Sequence, residues 1–495
     1  MHDLGFPLWI RLTHFFNILF LSMLFRSGVE ILGGHPMLYW NDDSTPGSEW
    51  LRFTKKKMPA DEPWTAEDEK EPYSPVIALP GHDNLGLGRY WHFSATLGWI
   101  LTGLVYLVLL FATPEWRRLI PTSWSVFPQA YQALLSYLSL QIPHTPNVFN
   151  ALQQLVYAGV IFILAPLQIL TGIAMSPAVA GRFPWYTRPF GGRQAARSIH
   201  FLGLVLFAAF TVHHTAIVIA HGLGGELAKI VLGVENATAD QARIAAFVAV
   251  LAVLLVLAVH VWATIASLES PRRIQRWLQG LVDPVRHALF HGLRSRQHYD
   301  AKQLTQAPRA NGRPPKDPEH QTLVRTGFDG WRLHIGGLVE EPQAFTLEEL
   351  RALPSQTQTT KHCCIQGWSY IAEWRGVPLG ALLDRCRPLP GARYVLFRTF
   401  DDKWEVPDND LGYFYGTVDL ELARHPQTIL AYDMNGGPLP IEFGAPLRLR
   451  LETQLGFKMT KWVRAIELIE DYRTLGLGNG GWREDRLHYS QSAPI

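Results

Sequence analysis

Hydrophobic positions are distributed unevenly along the chain. Up to about residue 268 they collect in long runs; beyond it they come in short stretches separated by turns. A helix needs about 20 mostly apolar residues to cross a bilayer. Five segments meet or approach that length: 8–32, 91–113, 152–176, 198–220 and 244–268. The first carries Arg11, Arg26 and Glu30, whereas the fifth, IAAFVAVLAVLLVLAVHVWATIASL, is uninterrupted. The first is too long for a cleavable signal and lacks a small-residue cleavage site and a twin-arginine pair, so a retained span is expected. After residue 268 come Arg272, Arg273, Arg276, Arg286, Arg294 and Arg296, a basic flank of juxtamembrane type. Residues 305–320 (TQAPRANGRPPKDPEH) read as a linker or extended arm. Farther on, WRLHIGGLV, RYVLFRTF, LRLRLET and WVRAIELIE lie between Gly/Pro turns and predict strands, with one short helix at 379–386. The expected architecture is multidomain. An all-α transmembrane bundle of about five spans (1–270) leads through a juxtamembrane linker (271–320) into a mixed α+β domain (321–495).

Composition narrows the function. Of 495 residues 47% are hydrophobic and 18% charged, too apolar for disorder as the main state. A net charge of +2 lacks the basic field of a nucleic-acid binder. Three cysteines, Cys363, Cys364 and Cys386, make neither a disulfide framework nor a cysteine-rich metal cluster.

The histidines matter by position. Ionisable groups inside a membrane are costly and point to function. His14 lies near the start of the first segment and His92 opens the second, while His200 and His214 share the fourth. Fourteen residues are about 21 Å of helical rise and close to four turns, so both rings leave one face near opposite ends. Neutral imidazole is the usual axial ligand of a b-type haem. His213 competes with His214 but points about 100° away. His221 and His260 have no partner by spacing and read as structural; His82 and His144 read as loop residues.

The pieces RLTHFFN, GRYWHF and GGRQAARSIHF, with this spacing, resemble the di-haem cytochrome b subunits of nickel–iron hydrogenases and formate dehydrogenases. The resemblance covers about residues 5–225 and leaves out the fifth segment. It implies two b haems, His92 pairing with His200 at one membrane face and His14 with His214 at the other. It also implies electron exchange with quinone or quinol near one haem.

In the second half, KHCCIQGWSYIAEWRGVPLGALL places adjacent cysteines before Gly-Trp, WRGVPL and a short helix. A buried cysteine is often inert packing, but this arrangement resembles the molybdopterin domain of the sulfite oxidase family. The nearer branch holds the bacterial periplasmic methionine sulfoxide reductase. There a cysteine thiolate ligates molybdenum, a soft ligand for such a metal. The alignment makes Cys364 the ligand and Cys363 its neighbour, the other choice being a shift by one. Thr399 falls where a threonine contacts the cofactor. FGAPLR supplies Arg448 for the pterin phosphate, with Phe443 in place of the motif's asparagine. GFKMTKW offers the Met459 and Thr460 amides and the Lys461 ammonium to an anion. Asn311 stands nearest to the family's early asparagine contacts. Gln366 replaces an acidic residue of the reductase.

Together these resemblances imply an enzyme, a molybdopterin-dependent oxidoreductase performing oxo transfer. Quinol, two b haems and a molybdenum site would reduce an S-oxide or N-oxide. The alternatives are a sulfite-type dehydrogenase delivering electrons to quinone, and a non-catalytic electron relay or redox sensor. The implied place is the bacterial inner membrane. Counting Arg and Lys near the span ends gives eight on the side of the soluble domain (Arg89, Arg182, Arg188, Arg193, Arg197, Arg272, Arg273, Arg276). The other side has five (Arg11, Arg117, Arg118, Lys229, Arg243), which points to a cytoplasmic soluble domain. The family's topology points to the periplasm, and that side is the expectation adopted.

Overall fold

The structure is a computed structural model that describes residues 5–56, 65–143, 149–290, 297–402 and 412–495. His144, Arg294 and Arg296 lie outside the described residues. Among the described residues five helices are long and apolar enough to cross a membrane: Leu8–Gly33, Leu85–Ala112, Ala151–Met175, Arg193–Ala220 and Ala239–Glu269. The second and fourth begin several residues before the apolar pattern does. Their polar starts, Arg89 and Arg193 among them, are helical because protein covers them at this end of the bundle. The first span packs along the second and the third along the fourth. The fifth is peripheral. His260 fastens it to the first span, its Nε2 2.8 Å from Ser22 Oγ and its Nδ1 2.9 Å from Arg26 Nη1.

The segment expected as a linker is more ordered than its composition implies. Pro271–Phe290 is a helix against the second span. Ile274, Trp277, Leu278, Leu281 and Val285 recur at helical spacing on its apolar side, a stripe hidden in sequence by the arginines between them. The rings of Trp91, Trp262 and Trp277 meet pairwise at 6.1–6.2 Å there. From 297 the chain then runs extended along the soluble domain. Tyr299 N donates to Thr359 O (3.1 Å) and Thr305 N to Ile371 O (3.0 Å).

The soluble domain is built on two five-stranded sheets. A short hairpin, β1 (Met37–Leu38) and β2 (Leu51–Arg52), precedes them between the first two spans. One sheet holds β3 (Arg332–Gly337), β4 (Gln343–Thr346), β7 (Tyr394–Thr399), β8 (Tyr415–Asp419) and β12 (Val463–Ile469) in the order β4-β3-β12-β7-β8. The other holds β5 (Gln356–Cys363), β6 (Ser369–Pro378), β9 (Thr428–Met434), β10 (Gly437–Pro438) and β11 (Arg448–Leu451). Its order is β10-β9-β6-β5, with β11 also on β9. Among the described strand pairs only β12 with β3 is parallel. Inward residues of both sheets, Leu333, Phe397, Leu430, Leu449 and Ile466, share a core with Leu382 and Leu383 of helix Leu379–Cys386. The β5–β6 hairpin turns at residues 364–368, where Cys364 N donates to Trp368 O (3.0 Å).

That turn points at the membrane bundle. The connection between the first two spans, residues 33–84, carries a row of acids to the soluble domain. Asp42 pairs with Lys361 at 2.6 Å, Glu67 with Arg483 at 3.3 Å and Asp68 with Arg313 at 2.9 Å. Glu69 pairs with buried Arg309, and Asp43 accepts from Thr305 Oγ1 at 2.7 Å. Asp42 also accepts the Gln194 amide (3.0 Å) in the first turn of the fourth span. The preceding Gly192 has φ 104°, and a Cβ there would stand 2.6 Å from Asp42 Oδ1. Burial alone would raise the Asp42 pKa, but Lys361 and the amide hold it below its ordinary value.

Asp42→Ala removes a charged hydrogen bond and a helix cap together, at a cost of about 1–3 kcal/mol. Thermal unfolding in detergent reads this as a lower midpoint at neutral pH. A depressed carboxylate pKa gives stability that is present above the ordinary value of about 4 and lost as pH falls through the lower folded value. The gap between wild type and variant should therefore close below about pH 4.

Candidate functional site

The fourth span brings two histidine pairs together. His200 faces His92 of the second span with ring centroids 6.5 Å apart, and His214 faces His14 of the first span at 6.3 Å. Two imidazoles on one metal, with metal–nitrogen bonds of about 2.0–2.1 Å, have ring centroids about 6 Å apart. Three of the outer nitrogens are occupied: His92 Nδ1 lies 3.0 Å from Ser27 Oγ and His200 Nδ1 3.0 Å from Thr171 Oγ1. His214 Nδ1 lies 3.3 Å from Tyr157 OH. Such partners fix the ring and leave Nε2 for a ligand. His213 turns away from the pairs, with Nδ1 3.0 Å from Ala209 O, and His221 Nε2 meets Tyr137 OH at 3.0 Å. The His92–His200 pair lies at the end of the bundle that meets the soluble domain, and the other pair at the opposite end.

The cysteine turn sits directly above the first of these pairs. Gln194 Nε2 donates to Gly367 O (2.8 Å), and Arg193 Nη1 reaches Cys363 Sγ at 3.7 Å. Arg193 is two helical turns, about 10 Å of rise, before His200. The two sulfurs have different neighbours. Cys363 faces this arginine; the Cys364 thiol donates to Gln366 Oε1 at 3.5 Å and lies within electrostatic reach of Arg483. Burial pushes the Cys364 thiol up to about 12. The protein by itself therefore keeps it a neutral thiol, and a bound metal ion is what would make it a thiolate.

Arg483 belongs to the wall of a cavity beside the cysteine turn. Asn311, Arg448, Met459, Thr460 and Lys461 line it, as do His362 and Trp368 on either side of the cysteine turn. One wall is aromatic: the His362 and Tyr370 rings stack at 4.9 Å, and Trp368 follows Tyr370 at 6.1 Å. Another is cationic. Arg448 is buried beside Trp374, its Nη1 donating to Phe443 O (2.9 Å) while its Nε has no partner. Burial draws its pKa down to about 10, which still leaves a cation at neutral pH. Asn311 Oδ1 is likewise buried without a partner. Lys461 Nζ donates to the carbonyls of Asn311 (2.6 Å) and Glu442 (2.8 Å).

The residues of this chain match two known families. Residues 5–233 match the family described as prokaryotic cytochrome b561, and residues 320–474 match the oxidoreductase molybdopterin binding domain. The chain joins a cytochrome b561 domain to a molybdopterin oxidoreductase domain. A putative protein-methionine-sulfoxide reductase subunit YedZ1 of Azospira oryzae is 37% identical over 32% of this chain and 53% of its own. The protein-methionine-sulfoxide reductase catalytic subunit MsrP of Xanthomonas axonopodis is 36% identical over 28% of this chain and 45% of its own. The chain thus spans about half the length of these curated relatives. The crystal structure of the sulfane dehydrogenase SoxCD from Paracoccus pantotrophus matches 30% of this chain and 41% of its own at 26% identity, with a TM-score of 0.26.

The cavity of the molybdopterin domain fits a flat, polar, anionic cofactor. It offers an aromatic wall for ring stacking, an unsatisfied guanidinium nitrogen and an unsatisfied amide oxygen. Three expected contacts are placed differently. Thr399 is not on this wall: its hydroxyl donates to Phe414 O (2.6 Å) and accepts from Asp401 N (3.1 Å), closing the end of β7. Met459 and Thr460 line the cavity, but their amides already donate to Gly456 O and Lys458 O, because the chain turns tightly there. Cys364 is beside the cavity rather than among its lining residues.

Three wall residues were not read from the sequence. His362 directly precedes Cys363, a signal that was available. It is neutral, since burial and Arg450 push its pKa far down, and Arg450 Nη1 donates to its Nδ1, which leaves the proton on Nε2. Arg309 lies in the segment taken as linker, and Arg483 in a C-terminal stretch without a motif.

Arg448→Met deletes the guanidinium but keeps most of the buried apolar volume. The expected result is at least a tenfold loss of molybdenum per protein by metal analysis, with the haem spectrum unchanged.

Proposed function

We propose that this chain is a quinol-driven molybdenum oxidoreductase that reduces an S-oxide, of methionine-sulfoxide type, through two b haems. The observation that carries it is the placement of the cysteine turn against the fourth span, above one of two histidine pairs. Quinol meets the His14–His214 end, and electrons pass along the fourth span to the His92–His200 end and the cavity. The residue assignments follow the same reading. His14 with His214 and His92 with His200 hold the haems; Cys364 holds molybdenum; Arg448, Lys461 and Asn311 hold the pterin and its phosphate. Bound there, the molybdenum cofactor supplies two-electron oxo transfer, and the haems pass one electron at a time. The stoichiometry closes as quinol plus S-oxide giving quinone, sulfide and water.

The chain's own residues contribute positioning and charge. Gln366, held by Trp368 Nε1 (2.8 Å), accepts from the Cys364 thiol and orients it. His362 carries its proton on the nitrogen nearest Gly456 at the cavity wall, where a Cβ on Gly456 would stand 2.3 Å from it. A neutral donor there hydrogen-bonds an oxygen-rich ligand without changing the site's charge. The relatives named for methionine sulfoxide support that substrate class. Following the topology that the family resemblance implies, we take the molybdopterin domain to be on the periplasmic side.

Two variants test the assignment. Cys364→Ser should abolish S-oxide turnover and leave the haem spectrum intact, whereas Cys363→Ser should retain turnover. The reverse pattern would shift the ligand by one residue. His200→Ala should remove one of two haems and stop quinol-driven turnover, while turnover with a reduced viologen dye supplied directly to the soluble domain continues. Retention of both haems in His200→Ala would contradict the proposed electron path.

A further inference from the structure

We propose that Arg89, Arg193 and Arg197 form a carboxylate-binding site for the two propionates of the haem between His92 and His200. The inference rests on the haem reading above and adds the residues that take the cofactor's charged edge.

Position is the first argument. Residues three, four and seven apart share one helix face. Arg193, Arg197 and His200 are spaced by four and three, so they form one stripe on the fourth span. Arg89 precedes His92 by three on the second span. Both histidines therefore have an arginine one turn nearer the docked domain, and side chains on a helix lean toward its N-terminus. At these helix starts that direction leads away from the bilayer centre.

Charge is the second argument. Arg193 is buried and lies within electrostatic reach of both Arg89 and Arg197. Three other buried arginines are matched by acids, Arg309 by Glu69, Arg450 by Glu452 and Arg483 by Glu67; the exception, Arg448, faces the cofactor cavity. Among the described residues Arg89, Arg193 and Arg197 make no contact ion pair with a carboxylate; Asp42 and Glu69 act on Arg193 and Arg197 only at longer range. Arg193 donates to Met175 O (3.0 Å) and contacts Cys363 Sγ; Arg197 donates to Met37 O (2.7 Å) and His35 O (2.5 Å). The Arg89 guanidinium stands 5.2 Å from the Phe93 ring. Three cations removed from water, with Arg193 repelling both of the others, are costly without an anion, and guanidinium is the side chain best matched to a carboxylate. The contacts to Met37, His35 and Cys363 show that protein covers the site, which favours a cofactor carboxylate over a lipid headgroup. Arg193 touches both the haem end and the cysteine turn, so the propionate edge faces the molybdenum domain.

The test is a spectroelectrochemical titration of the purified full chain with its haems. Arg89→Gln and Arg197→Gln should each lower the midpoint of one haem, since losing a nearby cation favours the ferric state. At the wild-type midpoint the ferric-to-ferrous ratio of that haem should rise between threefold and tenfold, tenfold being about 59 mV for one electron. The second haem should not move, and Arg→Lys should restore most of the shift. Arg243→Gln, exposed at the far end of the bundle, should move neither. If a glutamine variant does not assemble, resonance Raman of the lysine variants decides: the propionate bending band of one haem should shift. Unmoved potentials with both haems present, equal movement of both, or an unshifted band in the lysine variants would overturn the assignment. A wild type holding fewer than two haems would instead overturn the two-haem reading on which it rests.

Discussion

The carboxylate of Asp42 ties together the parts on which the rest depends. One oxygen accepts the amide at the start of the fourth span and the other the ammonium of Lys361, three residues before Cys364. A helix that carries histidines must start at a fixed height for those histidines to face partners on other spans. A hairpin that carries cysteines must dock at a fixed place for electrons to reach it. Asp42 meets both needs with one side chain, and the glycine at 192 exists because the carboxylate occupies the space where a Cβ would be. A carboxylate at a helix N-terminus is favoured by the helix dipole as well as by the amide bond.

Glu67, Asp68 and Glu69 of the same connection extend this device. A molybdopterin domain must be cationic to hold a phosphate and a metal-bound dithiolene, and much of that cation content lies beneath the cavity. Glu67 and Glu69 neutralise Arg483 and Arg309 from outside the domain, leaving Arg448 with an open nitrogen. The connection thus docks the domain and also decides which of its cations remain available to a ligand. Burying such pairs adds little net stability but makes the loss of either partner expensive, so the interface is specified more than it is strengthened.

Much of this was legible in the sequence, for definite reasons. Apolar run length reports lipid exposure directly, so all five spans were placed, with the polar helix starts missed because protein rather than lipid covers them. The strands at β3, β7, β11 and β12 stood out because turn residues bracket them. The cavity residues Arg448 and Lys461 were singled out because their segments resemble motifs of the sulfite oxidase family. What escaped depends on contacts between distant segments. Nothing local in residues 33–84 says that its acids face Lys361, Arg309 and Arg483. Ser27 and Thr171 look like ordinary small residues within spans until the structure sets them beside His92 and His200. Thr399 looked like a cofactor contact, yet its hydroxyl is consumed by the backbone at the end of β7.

The central claim is that quinol, two haems and the molybdenum cavity form one electron path ending on an S-oxide. The most direct test uses the wild-type chain in detergent, anaerobically reduced with a quinol analogue until the haem b bands are fully developed, with molybdenum and haem quantified on the same sample. Addition of methionine sulfoxide should reoxidise both haems within the turnover time, at about one molybdenum per two haems. Haems that stay reduced in the presence of the sulfoxide, with molybdenum at full occupancy, would contradict the account.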